Sequence, residues 1–473
     1  MSRPLIIAAA LPLAFIGGSF AAEPKDLPKP AEARPMTFAP VREKTLENGL
    51  RVVAVERRGQ PMVSTCLLLK SGAESDPADR AGLTKFTATL LARGTKTRSA
   101  TQVAQDLEVL GASLDTRADW DATTAWLTSL APNTGTAFEI LADVVRNPAL
   151  APEEIERLRK EQIDEVQVQL EQPTQLARTV APPLILGTSP YAHRPEGTPA
   201  PLGRITREDV LTQHGKIFRT EGAALVIVGD LKAEDAFLLA EKSFGSWKAE
   251  SEAAPAKAAK ADAPEPTVTL VDMPDAGQAA VYIGSSQAPH SSATFAISQV
   301  ANTVLGGGYS SRLNREVRVK RGLSYGCSSR LAAWREGGIF GAACQTKNES
   351  AAEVVKVIRA EIERLGAAPI PEEEFLARRL VVTGGFQRDL ETNEGYARCI
   401  ADFIIRGEAV DSFADTLARY NAVSVEDVQK FAASQLTGER LSIVVVGKAS
   451  VCEKSLKELF PKLRVVPQSK LEL

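Results

Sequence analysis

"ALVIVGD", residues 224–230, returns as "SIVVVGK" at residues 442–448, with Gly229 and Gly447 separated by 218 positions. Each is a short apolar run closed by glycine, the pattern of a buried strand. Two further pairs fall at nearly the same offset. "ITREDVLTQHGKIF" (205–218) is echoed by "VSVEDVQKFAASQL" (423–436), with Asp209 and Asp427 again 218 apart. "PEEIERLRKE" (152–161) is echoed by "PEEEFLARRL" (371–380) at a spacing of 219. Three matches at nearly one spacing predict an internal duplication, so the fold of the first half should recur in the second.

The division between the halves is also visible. Residues 249–266, "AESEAAPAKAAKADAPEP", hold eight alanines and three prolines among charges, with no larger aliphatic residue. Such a stretch cannot bury a core and reads as a linker. A chain of 473 residues is too long for one core in any case. The partition is a leader at 1–21, a tail at 22–39, a first domain at 40–248, the linker at 249–266, a second domain at 267–466 and a tail at 467–473. In the first half, β-rich runs such as "RVVAVER" and "VSTCLLLKSG" precede a helix, then two alternating strands, "ASLDTRAD" and "DATTAWLTSL", then long amphipathic helices. Strands and helices are mixed, so each half is predicted to be α+β with a largely antiparallel sheet.

Arg3 is the only charge before Glu23, an apolar run covers Leu5 to Gly18, and Ser19 and Ala21 flank Phe20. That is a signal peptide cleaved after Ala21, and it predicts a periplasmic location. The run is too short for a membrane span, and no later stretch is apolar enough for one. Loss of Arg3 would move the net charge from −3 to −4, a balance that supports neither nucleic-acid nor anionic-membrane binding. Five cysteines, Cys66, Cys327, Cys344, Cys399 and Cys452, are too scattered for a disulfide framework or zinc knuckle. Cys327 and Cys344 flank "SRLAAWREGGIFGAA", which reads as a hairpin turning at Trp334–Gly337. Opposed there, they are either a disulfide or two small buried hydrophobes.

The helix "GLTKFTATLLARGT" (82–95) carries a polar stripe where a buried helix is normally apolar. With the duplication and element order, it makes the chain resemble the insulinase, pitrilysin and mitochondrial processing peptidase family of zinc peptidases over about residues 40–466. In that family the helix reads G-L-x-H-x-x-E-H-x-L-x-x-G-T, two histidines binding zinc and a glutamate activating water. Here Gly82, Leu83, Leu91, Gly94 and Thr95 match. Lys85 and Thr89 stand at the histidine positions and Ala88 at the glutamate position. Glu165, 76 residues after Thr89 and eight before Pro173, matches the third ligand, while Leu158 replaces an accessory glutamate. One carboxylate cannot hold a catalytic zinc. His193, His214 and His290 have no partners at metal spacing and read as surface or loop histidines. No metal or other cofactor is therefore expected in this chain. The Lys85 ammonium either replaces the metal's charge by pairing with Glu165 or snorkels to solvent.

The second half keeps more of the family's pattern. "GGGYSSRLNREVRVKRGLSYGCSS" (306–329) follows G-G-x-x-S-R-L-x-x-x-x-R-E-x-x-G-L-x-Y, with Val319 in place of the usual glutamate. The resemblance assigns Arg318 and Tyr325 to the substrate carbonyl, where they stabilise the developing oxyanion, with Gly306, Gly307 and Gly308 at the substrate. Alone, Arg318 reads as a solvated helix charge and Tyr325 as a core strand residue. The glycines lack the lysine of a phosphate loop and more simply shape the turn after a helix ending near Leu305.

The resemblance implies two homologous domains forming half of a clamshell-like chamber. It also implies a division of labour, in which this chain is the non-catalytic subunit of a heterodimer. Its homologous partner would carry His-x-x-Glu-His and the zinc, and peptides would be the substrate. The alternative is a proteolytically inert structural, assembly or peptide-binding protein of the same fold.

Overall fold

The computed structural model describes residues 36–248 and 263–473; the leader and linker residues 249–262 lie outside the described residues. The first half contributes β1 (Val41–Thr45), β2 (Arg51–Glu56), β3 (Met62–Leu69), β4 (Ser113–Ala118), β5 (Thr123–Leu130) and β6 (Ala224–Gly229). The second contributes β7 (Val268–Asp272), β8 (Ala279–Gln287), β9 (Cys327–Ala333), β10 (Gly338–Thr346), β11 (Ser442–Gly447) and β12 (Arg464–Pro467). The two sheets run β1-β2-β6-β3-β5-β4 and β12-β7-β11-β8-β10-β9. Without their outermost strands the orders coincide strand for strand, as the duplication requires. Most pairings are antiparallel, but β2 with β6 and β7 with β11 are parallel. The sheets differ only at the margin. β1 precedes β2 and lies antiparallel to it, whereas β12 comes from the end of the chain and lies parallel to β7.

The repeated aspartates have a local cause. Thr206 and Ser424 are N-caps whose side chains accept from the amides of Asp209 and Asp427, and each aspartate side chain accepts from the cap amide in return. Two of the orphan N–H groups at each helix start are satisfied in this way. The "PEE" pairs likewise open helices Pro152–Leu170 and Glu372–Asp389 with acidic first turns, where carboxylates complement the helix dipole.

The unbroken apolar run of β11 has a long-range cause. Ile443 and Val445 join the second half's own core, while Val444 and Val446 join a core built with Leu176, Ala177 and Ala181 of the first half. Helix Pro173–Leu186 of the first half packs on β8, β10 and β11, and helix Asn393–Arg406 of the second packs on β3 and β6. Each half thus lends one helix to the other's sheet, and residues 39–473 form one compact unit. Covering Val444 and Val446 in this way is worth roughly 1.5–3 kcal/mol per side chain.

The predicted hairpin is present, with the Trp334 amide donating to Gly337 O at 2.6 Å and Cys344 directly opposite Cys327. Both cysteines are buried free thiols. Among the described residues, no helix is long and apolar enough to cross a membrane.

Candidate functional site

The polar stripe of residues 82–95 lies on helix Leu83–Leu90. Its start is held by Asp76, whose carboxylate accepts from the amides of Gly82 at 2.8 Å and Thr84 at 2.9 Å. Gly82 has φ +98°, and an added Cβ there would lie 2.8 Å from Glu196 O and 2.9 Å from the Gly197 Cα. Only glycine permits so close a backbone approach with that φ. The approach places Glu196 next to the first turn of the helix and decides the partner of Lys85. The Lys85 ammonium donates to Glu196 Oε1 at 2.6 Å. Burial by itself would raise the Glu196 carboxyl, but Lys85 and Arg194 hold it below its usual value.

Of the two alternatives for Lys85, pairing with Glu165 or snorkelling to solvent, neither describes it: its partner is Glu196. Glu165 accepts from Gln169 Nε2 at 3.1 Å, Gln169 Oε1 accepts from Arg194 Nη2 at 2.7 Å, and Arg194 approaches Glu196 at 3.7 Å. Lys85 and Glu165 are joined through three intermediaries rather than directly, because Glu196 occupies the nearer position. Thr89 turns its hydroxyl back to Lys85 O at 2.9 Å, Ala88 is buried, and Leu158 packs in the core. Zinc is the metal that the resemblance implies, and these residues do not fit it. An ion-paired ammonium, a methyl group and an internally bonded hydroxyl leave Glu165 as the one donor of the frame, where a catalytic site needs three. Among the described residues, no group of three or more His, Cys, Asp or Glu side chains is placed to hold a metal ion.

Of the three histidines only His214 departs from a surface or loop position: it is buried on helix Arg207–Ile217, whereas His290, also buried, and His193 lie in loops. His214 stacks on Phe218, one helical turn on, and its Nε2 lies 3.0 Å from Val145 O. Burial lowers the pKa of His290. His193 is half-buried beside Trp120, 3.8 Å from Asp76.

Lys85, Glu165 and Glu196 line a cavity of about 600 Å³ between the halves, lined on the far side by Tyr282 and Arg330 of the second sheet and Trp334 of its β9–β10 hairpin turn. At its margin Tyr191 stacks on Trp334 at 4.8 Å and donates from its hydroxyl to Asp121 at 2.6 Å. Asp121 also accepts from the Arg335 amide at 2.7 Å, and the Arg335 guanidinium lies 3.6 Å from Glu74. This network stitches the halves together, and Glu74 is its titrating member. Burial, then the nearby Asp121 charge, push its carboxyl up from 4.5 to about 8, against the pull of the Gly72 amide and Arg335. A folded-state pKa above the unfolded one means that stability from this group is complete below about pH 4.5. It is lost as pH rises toward 8. Glu74→Gln should flatten that loss and raise stability at pH 8 by on the order of a few kcal/mol, read from urea midpoints at pH 5 and pH 8.

In the second half, helix Phe295–Leu305 ends where the glycines begin. A Cβ on Gly306 would meet the Ser329 amide at 2.2 Å and one on Gly307 the Thr303 Cα at 2.6 Å, so these two shape the turn. Gly308 lines a second cavity of about 440 Å³ with Tyr309 and Gly326. Arg312 is 2% exposed and forms a two-pronged ion pair with Glu374, Nε to Oε1 and Nη2 to Oε2 both at 2.9 Å. The chain then takes a π-helical turn, Arg315–Lys320, a form frequent at functional sites. Glu316 is buried and pairs with Lys320 and Arg321, which leaves Arg318 on the outer side, its guanidinium 5.0 Å from the Tyr309 ring centre. Tyr325 is 90% exposed, so its reading as a core strand residue is also corrected. Neither Arg318 nor Tyr325 lines the cavity of Lys85 and Glu165, so the two half-sites do not meet within one chain.

Sequence reasoning missed Glu196, Arg194 and the Tyr191–Asp121–Arg335 junction. Within "SPYAHRPEGT" (189–198), the segment that contains His193, Pro-Glu-Gly is where the chain returns to the helix start.

Comparison with known proteins agrees with this geometry. The sequence model described as "Insulinase (Peptidase family M16)" matches residues 51–182, and the one described as "Peptidase M16 inactive domain" matches residues 204–379. A Mycobacterium leprae protein described as an uncharacterized zinc protease is 26% identical over 438 residues, which are 92% of this chain and 97% of its own. A Bacillus subtilis protein with the same description is 21% identical over 403 residues, 84% and 96% of the two chains. Among solved structures, the peptidase M16 inactive domain of Pseudomonas fluorescens superposes with a TM-score of 0.79 at 23% identity, over 86% of this chain and 98% of its own. A protease from Helicobacter pylori does so with a TM-score of 0.80 at 19% identity, over 86% and 100%. The first family model lies within the first half, the second runs from the last elements of that half across the linker into the second, and the strand order repeats between the halves. On these grounds the chain belongs to the insulinase family, peptidase family M16.

Proposed function

We propose that this chain is the non-catalytic subunit of an exported, periplasmic heterodimeric zinc metallopeptidase. It binds unfolded peptides and supplies Arg318 and Tyr325 to the zinc site of a homologous subunit carrying His-x-x-Glu-His. The observation that carries the reading is the separation of the two half-sites. The helix that bears the metal donors in the family here offers an ion-paired Lys85, Ala88 and an internally bonded Thr89. The Arg318/Tyr325 element, by contrast, keeps most of its frame and stands exposed, and neither residue lines the cavity of the chain's own degenerate site. Hydrogen-bond donors aimed at a developing oxyanion act only where the scissile carbonyl is held, so this pair needs another chain.

The test is co-expression of the mature chain with a family member that has the intact zinc motif, followed by purification and a peptidase assay. Co-purification and hydrolysis that requires both chains are expected. A chain that isolates alone, or a partner equally active without it, overturns the proposal in favour of an inert structural or peptide-binding role.

A further inference from the structure

Three hydrogen-bond donors meet where helix Pro173–Leu186 crosses the second sheet. Arg178 comes from the helix, Tyr282 from β8 and Arg330 from β9. Arg178 and Tyr282 line both the 600 Å³ cavity and the adjoining 440 Å³ cavity, and Arg330 lines the larger one. The register explains the convergence. On β10, Gly341 stands opposite Arg330 on one side and Gly284 on the other, and the neighbouring Ala343 stands opposite Tyr282. A Cβ on Gly341 would lie 2.0 Å from the Tyr282 hydroxyl oxygen, so the ring lies across the bare strand toward Arg330.

Arg178 and Arg330 are exposed at the cavity and Tyr282 is half-buried, and none of the three is given an acceptor by the described residues. Among the described residues neither guanidinium has a hydrogen-bond or ion-pair partner, and the Tyr282 hydroxyl makes no hydrogen bond. Neighbouring arginines are engaged: Arg194 with Gln169, Arg312 with Glu374 and Arg335 with Asp121. Burial pushes the Tyr282 phenol up to about 12 while Arg178 and Arg330 pull it down, so both cations act on the same oxygen. Two unpaired guanidinium groups beside one phenol form a set of donors suited to an oxyanion. Arginine's planar fork binds a carboxylate through two parallel bonds. The cavity walls also offer Trp120, Trp334 and Ile339 as apolar surface for the rest of a ligand.

We propose that Arg178, Tyr282 and Arg330 form a binding site for a carboxylate of a bound peptide, supplied by its C-terminus or by an acidic side chain. The proposal rests on the reading of this chain as a peptide-binding subunit and names what it would select.

The test uses the mature chain alone and three short peptides of one neutral sequence: with a free C-terminal carboxylate, with an amidated C-terminus, and amidated with one internal glutamate. Binding is followed by calorimetry and by the fluorescence of Trp120 and Trp334 in the cavity wall. At least one carboxylate peptide should bind about ten-fold or more tightly than the neutral amide, and which one does identifies the source of the carboxylate. The Arg178→Gln/Arg330→Gln variant should lose that preference while keeping the wild-type melting temperature. Arg330→Gln alone, at an exposed edge-strand position, gives the same readout if the double variant does not fold. Equal affinity for all three peptides, or a preference that survives the variants, overturns the site and leaves peptide binding standing. Failure of every peptide to bind overturns both.

Discussion

In the proposed heterodimer, Arg318→Ala is expected to lower kcat/KM by roughly 10²-fold, the scale on which removal of one oxyanion donor acts. Tyr325→Phe, which removes only the hydroxyl, lowers it by about ten-fold or more. The loss falls on kcat, since a donor aimed at the developing charge binds the ground state little. Folding does not confound the result. Arg318 stands on the outer side of its π-helical turn, with the Tyr309 ring 5.0 Å away and no ion pair among the described residues. Exposed contacts of that kind contribute only about 0.5–1 kcal/mol. Gel filtration of each variant complex checks that assembly is intact. Wild-type turnover in both variants would remove the catalytic role from this pair and leave the chain as chamber wall alone.

The second large effect is on stability. Glu374→Ala destabilises the chain by about 3–5 kcal/mol, because it strands the guanidinium of Arg312 in a nearly dry site. Arg312 is 2% exposed and both prongs of its fork go to Glu374. Arg312→Ala costs somewhat less, since the Glu374 side chain is 18% exposed and reaches some water. Replacing both by apolar residues of similar size should recover much of the loss, as removal of a whole buried pair usually does. Denaturant unfolding of the two single variants and the double variant closes that cycle. The pair also predicts acid sensitivity. Burial opposes ionisation of Glu374, but its bonds to Arg312 hold the carboxyl below 4.5. Its contribution is then complete above about pH 4.5 and lost as pH falls through the folded-state value. This is opposite in sign to Glu74. Glu374 weakens the fold toward acid and Glu74 toward alkali.

These two arginines show how differently legible the motif was. "SRL" and "R-x-x-x-x-x-x-Y" were both readable as family spacing, and the end of the preceding helix near Leu305 was read correctly. The environments of the residues were not. Arg312 supports the element from inside and Arg318 faces out, and a π-helical turn follows Asn314 between them. A turn of that kind shifts the helical face without leaving a periodic mark in the sequence. Tyr325 reads as apolar and strand-like by residue type, yet it precedes β9 and projects into solvent.

The sequence by itself determined the duplication, the strands at its centre, the helix starts and the loss of metal donors from residues 82–95. All of these are short-range facts. Strand and helix periodicity, a capping box and the chemistry of one side chain are written within a few residues, so equal spacing at 218 carries the same local structure into both halves. The tertiary structure alone decided which helix covers which sheet, which carboxylate holds Lys85, and that the half-sites stay apart. Glu196 lies 111 residues from Lys85, and it wins over Glu165 because the backbone at Gly197 presses on Gly82. Such a contact depends on how close two distant segments come, and no periodicity records that distance. The exchange of helices has the same cause: an apolar run announces that a strand is buried on both faces, but not which half supplies the cover.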